Sequence, residues 1–320
     1  MKVVNYRDLM SKSFRMNQKG EFEKAYELFT DNQDIEDGCL RAILYLRCVY
    51  ALLSNKKELG ISIFKETVMD FGFWFHYEWM MKGKAFSIIR DEPTFKELAE
   101  ICKKREENHV KNSSPELIIV EPKNEYEDSN KALLLVHPDD WFNMAGKLYR
   151  KFLDLIEQKV FYDHIIGYPI SSFKTFAGSA VWMDIKKGAK ELQMHYKKII
   201  KQYNLDVENI TLCAATHADI ILEAIVDKLI IVKKLILIMP NITILEEIKT
   251  RLSVFKENDI SVYIIMGEKD EDYFEMAEKF AKSLDELGVR NKFKIIYGVG
   301  HVFLDNYEEV LLEAKQYVNN

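Results

Sequence analysis

Three short stretches carry side chains able to perform nucleophilic chemistry together. "VYIIMGEKDED" contains Asp270, three residues after Gly267, and "IIYGVGHVF" presents His301. "NITLCAATHADIILEAI" sets Thr216 in a cluster of small residues between an apolar run and an amphipathic one. A carboxylate bonded to an imidazole fixes its tautomer and stabilises its protonated form, and an imidazole so held can accept the proton of an attacking hydroxyl. Taken singly, Asp270 suits a helix N-cap and His301 a solvated loop. Taken together in chain order, Asp270 and His301 read as an acid–base pair. No His, Cys, Asp or Glu group has metal-ligand spacing and no turn carries a glycine-rich phosphate loop, so neither a metal nor another cofactor is expected.

Such groups need a scaffold, and the chain changes character near "KNSSPE" to provide one. Beyond that break, "ELIIVEP", "KALLLVH", "DHIIGYP", "ITLCAA", "KLILIMP", "SVYIIMG" and "KFKIIYG" read as strands. Helices are expected between most of them, starting near Met144, Val181, His217, Leu245 and Glu271, with a last one after Phe303. Apolar strands alternating with amphipathic helices specify an α/β fold, a mainly parallel sheet covered on both faces. Reactive groups in such sheets sit at the carboxyl ends of the strands, where His137, Thr216, Asp270 and His301 all fall.

The first third reads as helices instead. Phe22, Ala25, Tyr26, Leu28 and Phe29 form one stripe after Gly20, and two more helices meet at the polar turn "SNKKE". "DEPTFKELAEICKKREENHV" is a further helix, with Asp91 expected as its cap and Pro93 in its first turn. The spacing G-x-F-x-x-A-x-x-L from Gly20 to Leu28 is TPR-like. The expected division is therefore a helical domain at 1–112 and an α/β domain at 113–320.

Composition limits the partners. The net charge of −6 argues against nucleic acid. The lysines of "DIKKGAKELQMHYKKIIKQY" belong to the solvated face of an amphipathic helix, because Ile185, Ala189, Leu192, Tyr196, Ile199 and Ile200 recur at helical spacing. Four dispersed cysteines, Cys39, Cys48, Cys102 and Cys213, suit buried thiols in a reducing compartment. The start "MKVVNYRDLM" lacks the apolar core of a signal peptide, and "LIIVKKLILIMP" is broken by Lys233 and Lys234. A soluble cytoplasmic protein without membrane insertion is expected.

The order of parts resembles the α/β-hydrolases, in particular a bacterial phospholipase/carboxylesterase-like group with an N-terminal TPR-like helical domain. The segments that carry the resemblance are "FGFWF", "SPELIIVEP", "LLLVHPDDWFN", "YPISSFKTFAGSAVWMDIKKGAKELQMHYKKIIKQYNLD", "MGEKDED" and "YGVGHVF". It implies a serine esterase or thioesterase ancestry, with Asp270 as the acid and His301 as the base. The nucleophile falls on Thr216, within Ala214-Ala215-Thr216-His217-Ala218, where the family has G-x-S-x-G. A β-branched residue there must bear the elbow's left-handed backbone, a strain on the order of 1–3 kcal/mol. Asp219 brings a carboxylate near the place where negative charge develops.

The oxyanion loop departs too, reading His137-Pro138-Asp139-Asp140-Trp141. Pro138 has no N–H, so the donors implied are the backbone N–H groups of Asp139 and His217. His137 reads as a structural residue beneath the loop, and Cys213 as buried sheet packing. Ser171, Ser172, Ser179 and Trp182 are candidates for the lining of an acyl pocket. Three functions follow from these residues. One is a hydrolase-derived protein of weak or lost catalysis that keeps a cleft for a small acyl-containing ligand. The second is an active acyl hydrolase with Thr216 as nucleophile, and the third is a scaffold binding a protein partner through the N-terminal helices.

Overall fold

The computed structural model describes residues 3, 6–35, 39–122, 129–138, 150–173, 180–301 and 307–320. They group into two compact units, the first reaching Ser113 and the second starting at Ser114.

The first unit is helical: α1 (Tyr6–Gln18), α2 (Phe22–Thr30), α3 (Leu40–Leu53), α4 (Lys57–Lys65), α5 (Tyr77–Lys82) and α6 (Pro93–Asn112). The stripe expected on α2 buries Ala25, Leu28 and Phe29. The "SNKKE" turn joins α3 to α4 through Asn55, whose φ is 60°. Phe64 gathers an aromatic core, with ring centroids of Phe75, Phe86 and Phe95 at 6.0, 5.9 and 5.7 Å. The guanidinium of Arg105 donates to the carbonyls of Val68 and Phe73 at 2.7 and 2.9 Å, tying down the "FGFWF" stretch. Pro93 opens α6 as expected, but the cap position belongs to Glu92 rather than Asp91. A residue before proline is driven to extended backbone, and Glu92 has ψ 132°. Its carboxylate pairs with Lys57 instead of capping.

The second unit is a seven-stranded sheet in the order β1-β3-β2-β4-β5-β6-β7. The strands are β1 (Glu116–Val120), β2 (Ala132–Val136), β3 (Ile165–Ile170), β4 (Ile210–Ala215), β5 (Lys234–Ile238), β6 (Ser261–Gly267) and β7 (Asn291–Ile296). Only β1 runs antiparallel, against β3, and the other pairings are parallel. All seven apolar runs are strands. Every residue of β2, β3 and β4 is buried, as helices on both faces require.

The helices of this unit are α7 (Arg150–Leu155), α8 (Ile185–Tyr203), α9 (Ala218–Val226), α10 (Leu245–Ile248), α11 (Ser253–Glu257), α12 (Phe274–Glu286) and α13 (Glu308–Asn319). The lysine-rich segment is α8; it buries Ala189, Leu192, Tyr196 and Ile199, and its lysines are exposed. Asp184 caps it by accepting from Lys187 N at 2.9 Å, so this helix begins four residues later than Val181. The helix expected at Glu271 begins at Phe274, because Asp270 and the residues after it form a turn first. The start expected near Met144 lies outside the described residues. All four cysteines are free and buried, and burial pushes the Cys48 thiol up to about 12 and Cys102 to about 11.

Candidate active site

His137, Thr216, Asp270 and His301 follow β2, β4, β6 and β7 at their carboxyl ends. Thr216 ends the central strand with φ 68°, the left-handed backbone of a sharp strand-to-helix turn. His217 N–H reaches back to Ala215 O at 3.1 Å and Ala218 N–H to Thr216 O at 2.7 Å, closing two consecutive three-residue turns. The carbonyl of Thr216 also accepts from Asn241 N–H at 2.7 Å, and its N–H donates to Ile238 O at 3.0 Å. The strained residue is thus held on both backbone groups, by β5 and by the loop that follows it. Ala214 and Ala218, two residues to either side of Thr216, are fully buried.

Asp270 is buried and divides its two oxygens between both roles expected of it. Oδ2 lies 2.6 Å from His301 Nδ1, and Oδ1 accepts from Tyr273 N at 3.2 Å in the turn before α12. The Tyr273 ring lies against the imidazole, with centroids 5.1 Å apart. A carboxylate accepts only, so Nδ1 carries the proton and Nε2 is left as the basic nitrogen. Nε2 of His301 and Oγ1 of Thr216 are not hydrogen-bonded to each other, and neither has another partner among the described residues.

Gly267 explains how a residue after the edge strand β7 reaches the end of β6. The loop after β7 folds back onto it, with Lys269 N–H donating to Val299 O at 2.7 Å. A Cβ on Gly267 would stand 2.5 Å from Val299 O and 2.6 Å from Gly300 O. The missing side chain is what lets His301 lie beside Asp270.

The surrounding residues sort differently from expectation. Both oxygens of Asp219 accept from Thr243 N–H, at 3.0 and 3.1 Å, and Thr243 Oγ1 donates to Oδ2 at 2.5 Å. The carboxylate therefore latches the loop after β5 to α9; burial raises its pKa, against those hydrogen bonds. His137 is fully buried: Nδ1 lies 2.6 Å from Pro138 O and Nε2 accepts from Ser171 N–H at 3.3 Å, a structural role. Ser172 donates its N–H at 3.0 Å, and its hydroxyl, to the buried carboxylate of Glu191. Ser171 Oγ accepts from Phe173 N–H at 3.0 Å. Both serines are thus engaged in fixing their own loop. Trp182 is buried against the His137 ring at 5.0 Å, with its Nε1 lacking a partner among the described residues. His217 occupies the cap position of α9. Cys213 is buried, which pushes its thiol up. Asp139 and Ser179 lie outside the described residues.

Two residues at this end of the sheet escaped the sequence reading. Met239, directly after β5, has φ 45°, so neighbouring strands both end in left-handed non-glycine residues. Asn241 pins Thr216 through its backbone and has a buried Oδ1 without a partner among the described residues. The run Met239-Pro240-Asn241 was the available signal, since proline there marks an abrupt strand end.

The model of an "A/B hydrolase-like, N-terminal domain" matches residues 5–110, the helical unit. The crystal structure of an uncharacterized protein from Bacillus cereus ATCC 10987 is similar along the whole chain, covering 98% of this chain and 99% of that one, with a TM-score of 0.53 and 23% identity. The chain has an α/β-hydrolase fold, with a helical unit that matches the A/B hydrolase-like N-terminal domain. Esterase PE8 (14% identical, 64% of this chain, 99% of that one, TM-score 0.46) and acyl-protein thioesterase 2 of Zea mays (11%, 63%, 99%, 0.48) are more distant likenesses. No curated protein matches this chain by sequence. Among its described residues, no helix is long and apolar enough to cross a membrane, and no group of three His, Cys, Asp or Glu is placed to hold a metal ion.

Proposed function

We propose that this chain is an α/β-hydrolase that binds an acyl-containing small molecule at the carboxyl end of its sheet and cleaves esters or thioesters only weakly. The observation that carries this reading is the open link between Thr216 and His301. Asp270 holds the base at 2.6 Å, yet the hydroxyl in the nucleophile position is not bonded to it. Proton transfer to His301 Nε2 needs a contact of about 2.6–3.2 Å. Pro138 contributes no N–H to an oxyanion site, and the N–H of His217 is turned to Ala215 O. Loss of one such donor typically costs about 100- to 1000-fold in rate. The four buried free thiols favour a reducing, cytoplasmic setting.

A second reading, an acyl hydrolase with Thr216 as nucleophile, His301 as base and Asp270 as acid, has its own support. Thr216 bears φ 68° in spite of its β-branch, the backbone that an attacking residue needs.

Intact-protein mass after exposure to a fluorophosphonate probe separates them. The expected result is no adduct on the wild type and one adduct on Thr216→Ser that disappears when His301→Ala is added. An adduct on the wild type that vanishes in Thr216→Ala would establish the second reading. Absence of labelling from Thr216→Ser as well would show that the Asp270–His301 pair no longer supports acyl transfer.

A further inference from the structure

On the outer edge of the sheet, β1 and α8 border a cavity of about 470 Å3, within the range of small-molecule sites. Three strand spacings, roughly 14 Å, separate β1 from β4. The cavity is therefore not part of the Thr216 site. Leu117, Ile118, Met194, His195, Lys198 and Glu116 line it.

His195 is the feature that calls for a ligand. It is 2% exposed, and neither ring nitrogen has a hydrogen-bond partner among the described residues. Buried polar groups are ordinarily paired, and one that is not is a recurring mark of a site completed by something else. Burial, and then the charge of Lys198, push its pKa down to about 4, so the ring is neutral and offers one N–H donor and one lone pair.

Lys198, one turn along α8, is exposed and has no ion-pair partner among the described residues. Ile118 and Met194, 43% and 47% exposed, supply an apolar wall. A hydrogen-bond donor, an unpaired cation and an aliphatic surface together match an amphiphilic anion. The carboxylate of Glu116 on the same lining opposes ligands of higher negative charge.

We propose that this cavity binds an aliphatic monocarboxylate. One carboxylate oxygen accepts from the N–H of His195, the charge is answered by Lys198 Nζ, and the alkyl chain covers Leu117, Ile118 and Met194. The inference is independent of whether Thr216 is a nucleophile.

The test follows histidine ring resonances of the full chain by NMR during titration with octanoate, with octanamide as the neutral counterpart. Octanoate is expected to shift the His195 resonances saturably and to raise its titration midpoint, since a bound anion favours the imidazolium. Lys198→Met, a change at an exposed position, should weaken that binding at least fivefold, and octanamide should bind no better than the variant binds octanoate. The proposal is overturned if octanoate leaves His195 unshifted while moving only His301. Equal binding by Lys198→Met and wild type, or by octanamide and octanoate, would overturn it as well.

Discussion

Gly267→Ala offers the sharpest test of how the acid and base are brought together. The new Cβ would meet Val299 O at 2.5 Å and Gly300 O at 2.6 Å, both backbone atoms that no rotamer change can move. Carbon–oxygen contacts settle at about 3.3 Å, so the loop must retreat by roughly 0.8 Å. Applied to the 2.6 Å bond between Asp270 and His301, that retreat gives about 3.4 Å, beyond a good hydrogen bond. The bond from Lys269 N–H to Val299 O, now 2.7 Å, lies directly in the affected loop. Overpacking of this kind costs about 1–3 kcal/mol. Urea unfolding measures that loss, and proton NMR reads the Nδ1–H of His301, which a short bond to carboxylate moves far downfield. The variant should lose both stability and the downfield proton. If the proton persists and the stability change stays under about 0.5 kcal/mol, the close seating on Gly267 is not what positions His301.

Two further outcomes follow from buried titratable groups. Burial holds His195 and His164 down at about 4, in His164 with help from Lys315 and against Asp163. Their contribution to stability is therefore complete above the unfolded value near 6.5 and is lost as pH falls from there to about 4. Burial would raise the Asp163 carboxyl, but Lys315 and His164 hold it well below the ordinary range, so its contribution is lost only at lower pH. The urea midpoint should be level from pH 7 to 8 and fall between pH 6.5 and 4; equal midpoints at pH 7 and 4.5 would refute this. Asp219→Ala leaves the N–H and hydroxyl of Thr243 without their acceptor and should cost about 1–3 kcal/mol in urea unfolding. A change within a few tenths would show that the Asp219 latch carries little of the fold.

Much of the sheet was legible because its strands are short apolar runs buried on both faces, such as "KALLLVH" and "ITLCAA". The places of Thr216, Asp270 and His301 at strand ends were legible for the same reason, since each follows such a run within five residues. What the residues do to one another was harder to read. Asp219 looked like a charge beside the site, and its partner Thr243 stands 24 positions away in a loop that only folding brings near. The need for Gly267 depends on a loop from another strand, and no local pattern shows it. Asp91 and Glu92 both suit a cap, and the constraint from Pro93 on its predecessor decided between them.

One feature of α9 bears on motion. All nine of its residues are buried, and it starts two residues after Thr216. Backbone amides in such a helix exchange with solvent only through openings that approach global unfolding, whereas exposed loops open at far lower cost. The strand β7 that leads to His301 is only half-buried throughout. The hydroxyl and the imidazole therefore belong to different tiers of local stability. Opening the backbone where α9 follows Thr216 costs far more than opening it at the end of β7.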